Sequence, residues 1–191
     1  MLVVCNHIGD IDPGFVLTAL PARLRHKLAI ATGGEALEKL RTPSATRGKF
    51  RRAYDRMKWT LGVSLLNLFP LPREAGFRES FAFAGDLIDR GWSVLVFPEG
   101  TRTSNGQTGP FRAGIGLLSA RLRVPVVPVR LDGIFELKQA GKRWARPGQI
   151  AVSIGAPLHF RESDRAEEIT RELERRLALL EAASDSRDSH S

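Results

Sequence analysis

Apolar residues fall along this chain in short uncharged runs, separated by stretches with helical spacing, the pattern of strands and helices in alternation. The opening run, Met1-Leu2-Val3-Val4, reads as a buried strand, and residues 13–20 as a short helix closed by Pro21. A brief strand at 27–31 leads to a turn at Gly33-Gly34 and a helix over 35–41. Residues 47–58 are predicted to form a basic helix leading into Trp59, and Phe50, Tyr54, Met57 and, just beyond, Leu61 recur at spacings of three and four as an apolar stripe. Residues 65–71 return to strand and 76–90 to helix, with Phe77, Phe81, Ala84 and Ile88 on one face. The run 92–97 is uncharged and β-prone, as a central strand of a parallel sheet is. A helix follows at 111–123. Residues 124–129 are apolar but twice broken by proline, which predicts a strand with one edge facing away from a ladder. A last strand is expected at 149–154. Asp164 with Glu167 marks a capping box before a helix carried by Ile169, Leu173 and Leu177 to about Leu180. Together these predict an α/β layered fold with a largely parallel or mixed central sheet flanked by helices. One domain is expected over 1–181, with a disordered tail over 182–191.

Composition narrows the partners. The 191 residues suffice for one domain with a real core. A single cysteine, Cys5, excludes an internal disulfide and any multi-cysteine zinc site, and its place in an apolar run reads as a buried structural thiol in a reducing setting. His7, His26, His159 and His190 lack metal-ligand spacing, so no metal is expected. The net charge of +8 points to an anionic partner: nucleic acid, anionic lipid or a phosphorylated substrate. Arg41, Arg47, Lys49, Arg51, Arg52, Arg56 and Lys58 stand against one acid, Asp55. That stretch fits either the solvated face of a packed helix or a surface lying on an anionic membrane. A nucleic-acid-binding module is the alternative class, but the basic residues are not interleaved with stacking aromatics, and no nucleic acid is expected. No run reaches the roughly 20 apolar residues that span a bilayer. The first strand starts at Met1, close before the first candidate site residue, as in a piece or a late start of a longer protein.

Candidate chemistry collects where strands end. His7 closes the first strand and Asp12 follows five positions later, directly before Pro13. Asp12-Pro13 is a helix start, with Asp as N-cap and Pro at the first helical position. A strand that turns at Gly9 and enters that helix folds the carboxylate back onto the imidazole, the arrangement of a general base. The other reading is a helix cap beside an ordinary polar residue. Arg73, and Glu99 with Arg102, follow two further strands. In open α/β sheets ligands bind beyond the carboxyl ends of strands, and guanidiniums suit a phosphate there. A serine-hydrolase reading has no support, since no G-x-S-x-G elbow is present.

Asn6-His7-Ile8-Gly9-Asp10-Ile11-Asp12 resembles the NHxxxxD block of the glycerolipid acyltransferase family, whose members include the lysophosphatidic acid acyltransferases. Phe97-Pro98-Glu99-Gly100-Thr101-Arg102 resembles that family's FPEGTR block; Leu68 to Arg73 and Val124 to Val129 resemble two further blocks, in the family's order. The resemblance implies a glycerol-3-phosphate acyltransferase-like fold and an O-acyltransferase of phospholipid biosynthesis. It implies His7 as base and Asp12 as its orienting group, with Arg73, Glu99, Gly100, Thr101 and Arg102 at the acceptor site: Arg73 and Arg102 hold its phosphate, Glu99 and Gly100 shape the loop, and Glu99 reads equally well as structural. Asn6 is expected to fix the turn and Pro125 with Pro128 to shape the pocket wall, while Asp10 is a second carboxylate near His7 and the alternative to Asp12 as its orienting group. The implied partners are acyl-CoA or acyl carrier protein as co-substrate, a lysophospholipid acceptor and an anionic membrane surface, with no other cofactor. A cytoplasmic protein, peripheral on the inner face of the membrane, is implied too. The resemblance implies N-terminal anchoring helices, and the domain is expected to lack them: either the basic helix anchors the protein, the domain belongs to a larger chain, or it is an inactive truncated domain.

Overall fold

A computed structural model describes residues 1–33, 41–42, 48–71, 77–139 and 150–188. Its centre is a six-stranded sheet of β1 (Leu2–Cys5), β2 (Leu28–Gly33), β3 (Leu68–Leu71), β4 (Ser93–Val96), β5 (Val126–Asp132) and β6 (Ala151–Ile154). The strand order is β3-β2-β4-β1-β5-β6. Five strands run parallel, and β6 pairs antiparallel with β5 at one edge. The fold is the mixed α/β layered one expected, and β4 lies centrally, between β2 and β1.

Both faces of the sheet are covered, which is why its strands read as continuous apolar runs instead of alternating ones. Leu2, Val4, Val94, Val96 and Val126 point to one face, packed by α4 (Phe77–Asp89), α5 (Gly114–Leu122) and α7 (Ala166–Asp188) through Ala84, Ile115, Leu118, Ile169, Leu173 and Leu177. Val3, Cys5, Leu95, Val127 and Val129 point to the other, covered by Val16 and Leu20 near α1 (Asp12–Ala19) and Ile134 of α6 (Ile134–Gln139). The two helices α5 and α7 touch closely at Gly116, where a Cβ would collide with the Ala166 carbonyl oxygen.

Several elements differ from the periodicity reading. A short helix, α2 (Ala22–Arg25), follows Pro21. The basic helix α3 (Lys49–Leu66) runs past Lys58 and takes in residues expected to start a strand; it ends at Asn67, whose left-handed backbone (φ 47°) turns the chain into β3. Helix α7 continues to Asp188, beyond Leu180 and into the expected tail. The capping box is not made: the Asp164 carboxylate accepts from the Arg161 amide, closing the preceding turn (2.8 Å). The helix expected at 35–41 lies, apart from Arg41, outside the described residues.

The proline-broken strand is a correction. β5 is interior, paired with β1 on one side and β6 on the other. Pro128 is tolerated because its side of the strand faces a break in the β6 ladder. Val126 bridges Leu158, pairing resumes at Val129 with Ile154, and between them the Pro128 carbonyl accepts from Gly155 N–H. No donor is needed from the proline there.

Candidate active site

The site grows from the end of β1. After Cys5 the side chain of Asn6 continues the pairing with β5: its Nδ2 donates to the Leu131 carbonyl (2.9 Å) and its Oδ1 accepts from the Leu131 amide (2.8 Å). Asn6 thus holds the neighbouring strand, not the turn expected of it. The chain leaves the sheet at His7. The His7 amide donates to Glu99 Oε1 (2.8 Å), and its carbonyl accepts from the Thr103 amide (2.9 Å). The loop after β4 therefore grips the backbone of His7 from both sides.

The turn that follows brings Asp12 back. Ile11, not Asp12, is the N-cap, and Asp12 is the first residue of α1 with Pro13 behind it. Its carboxylate is fully buried and faces the loop it came from. Oδ2 lies 2.8 Å from His7 Nδ1 and accepts from the Ile8 amide (2.6 Å), while the Gly9 amide donates to the same carboxylate at 2.9 Å. A buried carboxylate is tolerated where charge-assisted bonds of this kind satisfy it. Against a carboxylate acceptor, the neutral form of the ring places its proton on Nδ1 and its lone pair on Nε2. The His7 side chain is 22% exposed, and its ring stacks on Phe97 with centroids 4.4 Å apart and planes 24° from parallel. Asp10 does not compete for the ring. Its Oδ1 takes Arg102 Nη1 at 2.6 Å on the surface.

Glu99 is buried, with Oε1 on the His7 amide and Oε2 on the Gly109 amide (2.8 Å). Burial pushes its carboxyl pKa up, and those two amides oppose the rise. Gly100 turns in the left-handed region (φ 69°), where a Cβ would meet Arg112 Nε at 2.5 Å. Thr101 and Arg102 are exposed. Arg73 lies outside the described residues. Pro125 belongs elsewhere: its carbonyl receives the Leu2 amide at the amino end of β1, whereas His7 lies past the carboxyl end. It lines the far edge of the sheet and no wall of this site. Cys5 is fully buried and its thiol pKa is pushed well up by that burial, which fits packing and not nucleophilic chemistry.

Two contributors were not among the sequence candidates. Phe97 stacks on His7 only because β4 lies beside β1, an adjacency that no local pattern announces. Arg130 was detectable as the one charge in the run 126–131. It is buried on β5, with Nε on Asp132 (2.8 Å), Nη1 on Thr108 (3.0 Å) and Nη2 on Glu181 (2.5 Å). It thereby ties the loop that Glu99 holds at Gly109 to the sheet and to α7. A cleft of about 430 Å³ lies along that loop, lined by Thr108, Phe111, Arg130, Glu174 and Glu181 among others, but neither His7 nor Asp12 reaches it.

Comparison with known proteins identifies the arrangement. The model of the family described as Acyltransferase matches residues 1–132, which hold both blocks and the strands that carry them. The chain belongs to the acyltransferase family. Among similar proteins, a chloroplastic 1-acyl-sn-glycerol-3-phosphate acyltransferase of Brassica napus is 36% identical over 80 residues, 41% of this chain and 23% of that protein. A 1-acyl-sn-glycerol-3-phosphate acyltransferase of Pseudomonas aeruginosa is 39% identical over 75 residues, 39% of this chain and 28% of its own length. Those alignments span about a quarter of each relative. The fold is shared with the crystal structure of the 1-acyl-sn-glycerophosphate acyltransferase PlsC of Thermotoga maritima. Its TM-score is 0.64 at 24% identity, covering 96% of this chain and 66% of the other.

Proposed function

We propose that this acyltransferase moves a fatty acyl group from a thioester donor, acyl-CoA or acyl carrier protein, to the free hydroxyl of a lysophospholipid such as 1-acylglycerol-3-phosphate. The observation that carries the reading is the His7–Asp12 pair, 2.8 Å apart, with the carboxylate buried and the ring's other nitrogen left for substrate. Nε2 takes the proton of the acceptor hydroxyl while Asp12 holds the ring and balances its new charge. The oxygen bonds to the thioester carbonyl carbon, the carbon–sulfur bond breaks, and the imidazolium returns its proton to the departing thiolate. The donor is already activated, so no acyl-enzyme is required.

Arg102 is the cation for the acceptor's phosphate, which takes the place of Asp10 on the guanidinium; Arg73 would share that task. Glu99 and Gly100 act at one remove, by shaping the loop that grips His7. The protein works as a peripheral one on the cytoplasmic face of the membrane, where a lipid acceptor is found. Among the described residues no helix is long and apolar enough to cross a bilayer.

The test is an acyl-transfer screen of the purified protein with lysophosphatidic acid, glycerol 3-phosphate and neutral-headgroup lysophospholipids, each with both thioester donors. Transfer is expected to lysophosphatidic acid from at least one donor. Thioester consumption that no acceptor stimulates would contradict the proposal.

A further inference from the structure

Helix α3 shows its apolar stripe to solvent. Phe50 is 94% exposed, Tyr54 51%, Met57 50% and Leu61 47%. At about 100° per residue these four positions fall within roughly 60° of one another around the helix. The opposite side is the packed one: Asp55 is buried, and Arg52, Trp59, Val63 and Leu66 are partly so. Exposed Lys49 and Arg56 lie on one flank of the stripe and exposed Arg51 on the other. Exposed apolar rows of this size mark a surface made to be covered. One with cations at both borders suits a single kind of cover, acyl chains below and anionic headgroups beside.

We propose that the Phe50–Tyr54–Met57–Leu61 face of α3 docks on a bilayer surface bearing anionic phospholipid headgroups, its apolar row entering the acyl boundary and Lys49, Arg51 and Arg56 meeting phosphates. The charge supports that occupant over a second copy of the chain, whose own row would carry the same cations against these. The placement fits the site as well. α3 returns the chain from the carboxyl end of β2 to the amino end of β3, so its first turns, with Phe50 and Tyr54, lie toward the edge of the sheet that carries His7. A docked α3 presents that edge to the membrane. This adds a location to the proposed reaction, but the binding itself can be read without turnover.

The experiment is flotation of the whole chain with vesicles of phosphatidylcholine alone and of phosphatidylcholine with phosphatidylglycerol, for the wild type and for Phe50→Ser/Met57→Ser/Leu61→Ser. Wild-type protein is expected to float with the anionic vesicles and to be released by salt. The triple variant should bind at least about tenfold less, with an unchanged thermal melting profile. Because Cys5 is fully buried, Phe50→Cys offers a selective thiol for an environment-sensitive dye, whose emission should shift to the blue on anionic vesicles alone. That readout serves if the triple variant does not fold. Undiminished binding by the folded variant, an unshifted dye, or no flotation of the wild type would each overturn the proposal. So would a stripe-dependent dimer, or tighter binding to DNA than to anionic vesicles.

Discussion

Asp12 gives its carboxylate to His7 and to the amides of Ile8 and Gly9, whereas Asp10, two residues earlier, points outward to Arg102. The two carboxylates should therefore respond differently to the same change. Asp12→Asn should lower kcat by about 10²–10⁴-fold, the range for losing an oriented general base, and Asp10→Asn should leave kcat within a few-fold of the wild type. Steady-state kinetics on the pair checks this, and the reverse pattern would make Asp10 the orienting group. The partnership of His7 with Asp12 was legible because it is local: a strand end, a glycine turn and a proline-marked helix start fix the geometry within six residues. The hold of Glu99 on His7 was not legible, since a contact across 92 residues depends on which strands are neighbours. Asn6 was misplaced for the same reason, its partner being Leu131 on β5.

At the scale of elements, spacing identified the helices well and their solvent sides poorly. The 3–4 periodicity of α3 is present, but periodicity shows only that a stripe exists, not whether protein, lipid or water covers it. Helix α7 shows the ordinary outcome, with Ile169, Leu173 and Leu177 fully packed. On its outer face Glu172 accepts from Arg175 and Arg176, at 2.7–2.8 Å, and these guanidiniums lower its pKa to about 2. A carboxylate depressed in the folded state stabilises it above the unfolded pKa and loses that effect as pH falls. Glu172→Gln should thus destabilise the protein at pH 7 by no more than about 1 kcal/mol, as partly exposed pairs do. The difference should fade as pH drops from about 4.5 toward 2. Urea midpoints of both proteins across that range test it; a difference that grows on acidification would contradict the assignment. The prolines of β5 make a related point: they signal a defect in a ladder, and Pro128 met it with a local break and not with an open edge.

For the whole molecule, the alternation of strand and helix was enough to give the layered α/β class, because each apolar run had to be buried on both faces. The strand order was beyond it. That order sets β1 between β4 and β5, so the His7 turn and the Phe97–Arg102 loop leave the sheet side by side, as at the carboxyl edge of other open α/β sheets. Four contacts then join the two segments: Glu99 on the His7 amide, the Thr103 amide on the His7 carbonyl, Phe97 on the His7 ring, and Arg102 on Asp10. The central claim is that this edge does acyl transfer through His7. Acyl transfer by His7→Ala to lysophosphatidic acid, measured beside the wild type at saturating donor, tests it most directly. The variant should melt as the wild type does and should transfer at least about 10²-fold more slowly, whereas wild-type-like transfer by the folded variant would contradict the claim.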